Sequence, residues 1–130
     1  MEGASNDYEK LAHLGDARRK FIISRKKLSI LLCVSKNEAV SVSELTYKTG
    51  IAGANLTKIL DELEQSNMVR RDRDQKDRRK CIIKLLPGGE EIAISANRIM
   101  NSLPQSLISP LSFEDRVALI YFLKNFPEEK

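Results

Sequence analysis

Asn55-Leu-Thr-Lys-Ile-Leu-Asp-Glu-Leu-Glu-Gln-Ser-Asn-Met-Val-Arg70 runs into Arg71-Asp-Arg-Asp-Gln-Lys-Asp-Arg-Arg-Lys80 and then Cys81-Ile-Ile-Lys-Leu-Leu86. The hydrophobic period changes twice along this stretch. Leu56, Ile59, Leu60 and Leu63 recur at i, i+3, i+4 and i+7, the one-sided stripe of an amphipathic helix, which predicts a helix over residues 53–66. Met68, Val69 and Arg71 open a strand, residues 72–79 form a polar hairpin tip, and residues 81–86 return as a second strand that stops at Pro87-Gly88-Gly89.

Upstream, residues 1–6 read as a frayed end. Leu11, Leu14, Arg18, Phe21 and Ile22 recur at helical spacing over residues 8–24, a run that Gly15 weakens. Ser24 is a candidate N-cap for a second helix, with Leu28, Leu31, Leu32 and Ser35 on its inner face and Asn37 closing it. Ser41-Val-Ser-Glu44 has capping-box spacing and starts a short helix that carries Leu45 and ends at Gly50, a residue suited to the left-handed C′ position. Downstream, one helix is predicted over residues 89–103, with Ile92, Ala96, Ile99, Met100 and Leu103 inward. Another runs over residues 112–126, capped by Ser112 and stopped by Pro127.

The charge is unevenly placed. The chain of 130 residues carries a formal net charge of +4. Residues 70–80 alone hold seven Lys and Arg against three Asp, so this one segment equals the net excess of the whole chain. The apolar fraction of 42% with no Trp points to an aliphatic core and away from a site built on aromatic stacking. The polar, acidic start is no basic leader, and no apolar run approaches the ~20 residues of a membrane span, so a cytoplasmic protein without membrane contact is expected. A single His, no Ser/His/Asp grouping, no Gly-rich phosphate loop and no acidic pair in an apolar setting argue against an enzyme. Cys33 and Cys81 lack metal-ligand spacing, so neither metal nor cofactor is expected; Cys33 reads as core, and Cys81 beside basic residues is conceivable as a thiol switch.

The order of helix, short helix, turn, helix, strand, basic tip and strand is that of a winged helix-turn-helix, a mainly α fold with a small β-hairpin wing. With its leucines inward, the 53–66 helix leaves Gly53, Ala54, Asn55, Thr57, Lys58 and Asp61 outward. Its N-terminal end is where such a helix meets base edges in a major groove. Asn55 suits adenine, the Thr57 methyl suits thymine, and Lys58 reaches guanine or phosphate. Gly53 and Ala54 let the backbone N–H groups approach a phosphate. In the wing, Arg71, Arg73, Lys76, Arg78, Arg79 and Lys80 are the candidate DNA contacts. Arg78 and Arg79 suit a narrow minor groove, and Asp77 braces Arg79 from two residues away if the hairpin is extended there. Solvated helix positions and a solvated charge run are the competing readings of these two features.

The stretch Asp77-Arg-Arg-Lys-Cys-Ile-Ile-Lys-Leu-Leu-Pro-Gly-Gly89 resembles the wing-to-helix segment of MarR-type (multiple antibiotic resistance) regulators. Residues 55–70 are similar to that family's recognition helix entering the wing, and the resemblance spans about residues 24–92. It departs from the family pattern at Leu86-Pro87, at the Gly53-Ala54 opening and in overall length. The resemblance implies a transcriptional regulator, usually a repressor, that binds palindromic double-stranded DNA as a two-fold homodimer. It also implies a small aromatic or anionic effector, which His13, Arg18 and Arg19 could meet as carboxylate partners; each is otherwise an ordinary surface group.

One domain over residues 1–130 is therefore expected, with a DNA-binding lobe at about 24–92 and dimerisation helices at about 7–23 and 93–127. Phe113, Val117, Leu119, Ile120, Tyr121, Phe122, Leu123 and Phe126 nearly encircle the last helix, and a second subunit would cover what one chain cannot. A winged helix used for protein contact, which needs no basic wing, and a chromatin-type protein binding DNA without sequence preference are the alternatives.

Overall fold

In the computed structural model, residues 23–37 and 40–124 are described. The expected first helix over residues 8–24, with His13, Arg18 and Arg19, lies outside them, apart from its last two residues. Helix α1 (Arg25–Ser35) begins directly after Ser24 and buries Leu28, Leu31 and Leu32 together with Ile30, Cys33 and Val34. Asn37 closes it, donating its backbone N–H to the Val34 carbonyl at 3.1 Å and its side-chain amide to the Cys33 carbonyl at 3.4 Å. A two-residue strand, β1 (Val40–Ser41), precedes helix α2 (Val42–Thr49).

The capping box at Ser41 is complete. Its Oγ accepts from the Glu44 backbone N–H at 3.1 Å, and Glu44 Oε1 accepts from the Ser41 backbone N–H at 3.2 Å. At the other end of α2, Gly50 sits at φ 70°, and its N–H reaches the Thr46 carbonyl at 2.9 Å. The turn to α3 (Gly53–Gln65) is pinned from inside: buried Thr49 donates its hydroxyl to the Leu45 carbonyl and accepts from the Ile51 N–H. Helix α3 buries Leu56, Ile59, Leu60 and Leu63, the predicted stripe. It ends through Asn67 at φ 60°, with Met68 N–H bonding back to the Leu63 carbonyl, a left-handed exit that Asn tolerates through its short polar side chain.

Strands β2 (Val69–Arg73) and β3 (Cys81–Leu85) pair antiparallel, with Val69 opposite Leu85 and Arg73 opposite Cys81. β1 adds to the other edge of β3, Val40 facing Ile83, so the strand order is β1-β3-β2 and the sheet has three strands. The hairpin was legible in the sequence; β1 was not, because two residues carry no period.

Helix α4 (Pro87–Asn101) starts two residues earlier than predicted. Pro87 fits the first helical turn, where a backbone N–H has no intrahelical acceptor. A Cβ at Gly89 would collide with the Met68 carbonyl, so glycine permits the helix to pass against the end of α3. One compact unit spans Lys26–Ile94 and contains every element from β1 to β3. Ser95–Lys124 belong to another. That region holds the rest of α4, a short helix α5 (Gln105–Ile108) that the sequence did not reveal, and α6 (Phe113–Lys124). Ser112 caps α6, accepting from the Asp115 N–H at 3.1 Å. Val117, Ile120 and Lys124 of α6 are buried, and Lys124 Nζ donates to Ser95 Oγ of α4. Among the described residues, no helix is long and apolar enough to cross a membrane.

Candidate nucleic-acid interface

Two elements of the Lys26–Ile94 unit carry the candidate residues, the opening of α3 and the loop between β2 and β3. Helix α3 begins at Ala52, which offers no side-chain cap. The N–H groups of its first turn are therefore left to an outside acceptor, and the helix dipole favours an anion there. Ala52, Gly53 and Ala54 are exposed. A Cβ added at Gly53 would meet nothing within 4 Å, so the packing of this chain does not require glycine there. Asn55 is half-buried; Thr57 and Lys58 are exposed. The Thr57 hydroxyl donates to the Gly53 carbonyl at 3.0 Å, which ties this exposed side chain to the helix opening. Lys58 has no carboxylate partner among the described residues.

The wing tip is a framed loop. Asp74 Oδ1 accepts from the Lys76 N–H at 3.0 Å, and Asp77 Oδ1 accepts from the Arg79 N–H at 3.1 Å. Each is an aspartate turning its own backbone two residues on. The Asp74 N–H donates to the Lys80 carbonyl, the Lys80 N–H to the Asp77 carbonyl, and Arg73 Nη1 to the Arg78 carbonyl. Asp77 Oδ1 also accepts from Arg79 Nε at 3.1 Å, so the expected brace is present. Its cause differs from the expected one: residues 77–80 form a turn, not an extended segment. These bonds hold the Asp77 carboxyl below the ordinary aspartate range, the Arg79 side chain contributing most. The Arg79 side chain itself is 92% exposed. Arg73, Lys76, Arg78 and Lys80 are also exposed.

Arg71 stands apart from the other wing cations. Strand alternation puts it on the same face as buried Val69. There Nε and Nη2 donate to Glu64 Oε1 at 3.1 and 2.7 Å, and Nη2 also reaches Asp61 Oδ1. Both carboxylates belong to α3, three residues apart on one face. On the opposite face of the strand, Arg70 pairs with Asp72 at 2.9 Å, with Lys84 Nζ 3.9 Å from the same oxygen. In the sequence alone Arg71 groups with the tip and Glu64 has no role. The signal was available: two acids at i, i+3 on a helix whose other outward residues suit an anion. Cys81 is half-exposed at the start of β3, and Cys33 is buried in α1, where burial pushes its thiol up. His13, Arg18 and Arg19 lie outside the described residues.

The model of the MarR family matches residues 23–81, which covers α1 through the wing tip. The chain is 30% identical over 98 residues to the uncharacterized HTH-type transcriptional regulator YdgJ of Bacillus subtilis, covering 75% of this chain and 60% of YdgJ. It is 30% identical over 83 residues to YfiV of the same organism, also an uncharacterized HTH-type transcriptional regulator, covering 62% of this chain and 52% of YfiV. The chain thus spans little more than half the length of these relatives. The crystal structure of the transcriptional regulator BldR from Sulfolobus solfataricus superposes with a TM-score of 0.57 at 27% identity, covering 86% of this chain and 81% of BldR. Lobe, wing and relatives agree: over residues 23–81, from α1 through the wing, this chain matches the MarR family.

Proposed function

We propose that this protein is a sequence-specific, double-stranded DNA-binding transcriptional regulator that acts as a homodimeric repressor. The observation that carries the reading is the wing tip: five outward cations on a loop framed by its own aspartates, with Arg79 exposed yet held in direction by Asp77. A merely soluble loop needs neither the framing nor the excess of positive charge. In this reading Arg73, Lys76, Arg78 and Lys80 contact phosphates, and Arg79 enters the minor groove. The uncapped opening of α3 enters the major groove: the N–H groups at Gly53 and Ala54 meet a phosphate, and Asn55, Thr57 and Lys58 read base edges.

The dimer is supported by the apolar side chains that α5 and α6 leave at the surface, Leu107 at 47% and Phe122 at 58% exposed. Two copies related by a two-fold would present two such lobes to successive major grooves. An anionic effector at His13, Arg18 and Arg19 stays a proposal from family resemblance.

Selection of bound duplexes from a random pool tests the reading. A two-fold repeated site is expected, with affinity that falls steeply with salt as counterions are released. Binding without enrichment would leave a chromatin-type protein, and no binding at low salt would leave a protein-contact winged helix. Either result overturns the proposal.

A further inference from the structure

We propose that Arg71 is a positioning residue that locks the wing to the recognition helix, so that the two grooves are read as one unit. This rests on the DNA-binding reading above and adds to it a determinant of specificity that itself touches no DNA. The geometry is direct. Val69, the first residue of β2, is wholly buried, and the strand then leaves the core. The next same-face residue is Arg71, whose side chain is only 27% exposed and whose guanidinium spans Glu64 and Asp61 of α3. Beyond it the strand runs to Arg73 and the tip. Arg71 is thus the outermost tie between α3 and the wing that the described residues provide through side-chain ion pairs.

A planar guanidinium with donors at Nε and Nη2 meets two carboxylates at a set angle, which an ammonium on a flexible stem cannot do. The tie also answers a problem of charge. Asp61 and Glu64 lie on the helix that approaches phosphates, where bare carboxylates would repel DNA. Engaged by Arg71, one of their two negative charges is offset by the strand they orient.

Charge alone and positioning predict opposite outcomes for one variant. Asp61→Asn with Glu64→Gln removes two negative charges from α3 and releases Arg71. If only charge matters, affinity for the selected site and for random duplex rises in parallel, and their ratio is unchanged. If Arg71 positions the wing, random-duplex binding tightens while the ratio of specific to random affinity falls about ten-fold or more. Arg71→Gln should lower the same ratio. In that background Arg79→Ala should cost much less than in the parent protein, because a detached wing no longer delivers Arg79 to the groove; additive effects would overturn the proposal.

A second measurement needs no DNA. Amide hydrogen exchange in β2 and β3 should speed up about ten-fold in Arg71→Gln while the α3 core amides stay protected. Unchanged exchange overturns the positioning role whatever the DNA result. A parent protein that selects no sequence overturns the reading on which the role rests.

Discussion

Asp77 Oδ1 accepts from both the backbone N–H and the Nε–H of Arg79, and so couples the shape of the wing turn to the direction of its most exposed cation. A free arginine at a loop tip sticks to any polyanion, whereas a braced one is presented in one orientation. Replacing Asp77 by Ala removes an acid near phosphates and also removes the brace. We therefore expect random-duplex affinity to rise, and the preference for the selected site to fall by about 5- to 10-fold, measured by fluorescence anisotropy on the two duplexes. Because the Asp77 carboxyl is held below its ordinary range, the brace persists as pH drops toward that range.

Glu44 titrates by the same logic at the start of α2. Its carboxyl is lowered from 4.5, first by the Ser41 backbone N–H and then by the Ser41 hydroxyl. A depressed folded pKa contributes stability that is present above the unfolded value and is lost as pH falls through the folded one. Urea unfolding midpoints of the parent protein and of Glu44→Gln should accordingly differ at pH 6 and converge as pH falls through the lowered pKa of Glu44. A gap that stayed constant with pH would remove the ionised carboxylate from the account.

At the scale of elements, two glycines separate packing from function. Gly89 is required by the fold: Gly89→Ala drives a methyl into the Met68 carbonyl at the junction of α3, β2 and α4, and should destabilise by about 1–3 kcal/mol in chemical denaturation. Gly53 is not required by it. Gly53→Ala enters open space in the first turn of α3 and should stabilise by up to about 1 kcal/mol. In the proposed interface the same methyl would stand between the backbone and DNA, so affinity should drop. Opposite signs in stability and binding for Gly53→Ala would place the helix opening at the DNA; a drop in both would not.

At the scale of the whole molecule, the mean apolarity of α6 exceeds what its buried residues use. Val117 and Ile120 face inward, while Phe122 stands out at the surface, as does Leu107 of α5. If α5 and α6 form the proposed dimer surface, Leu107→Glu with Phe122→Glu should shift the protein toward monomer in sedimentation velocity. Affinity for a two-fold site should then fall toward that of a half-site. Dimers that persist would move the self-association surface elsewhere.

Periodicity identified α3 and the hairpin, and cap chemistry identified the capping box and the left-handed stop at Gly50, because each depends on residues within about one turn or one strand of each other. The concentration of charge between residues 70 and 80 was equally local. The partners of those charges were not. Arg71 and Arg79 look alike in the sequence, yet one lies against α3 and the other faces solvent, since strand alternation and the position of α3 decide what each guanidinium meets. Local chemistry set which elements form; only the packing of α3 against β2 decided which cations of the wing face solvent and which one is engaged by the carboxylates of α3.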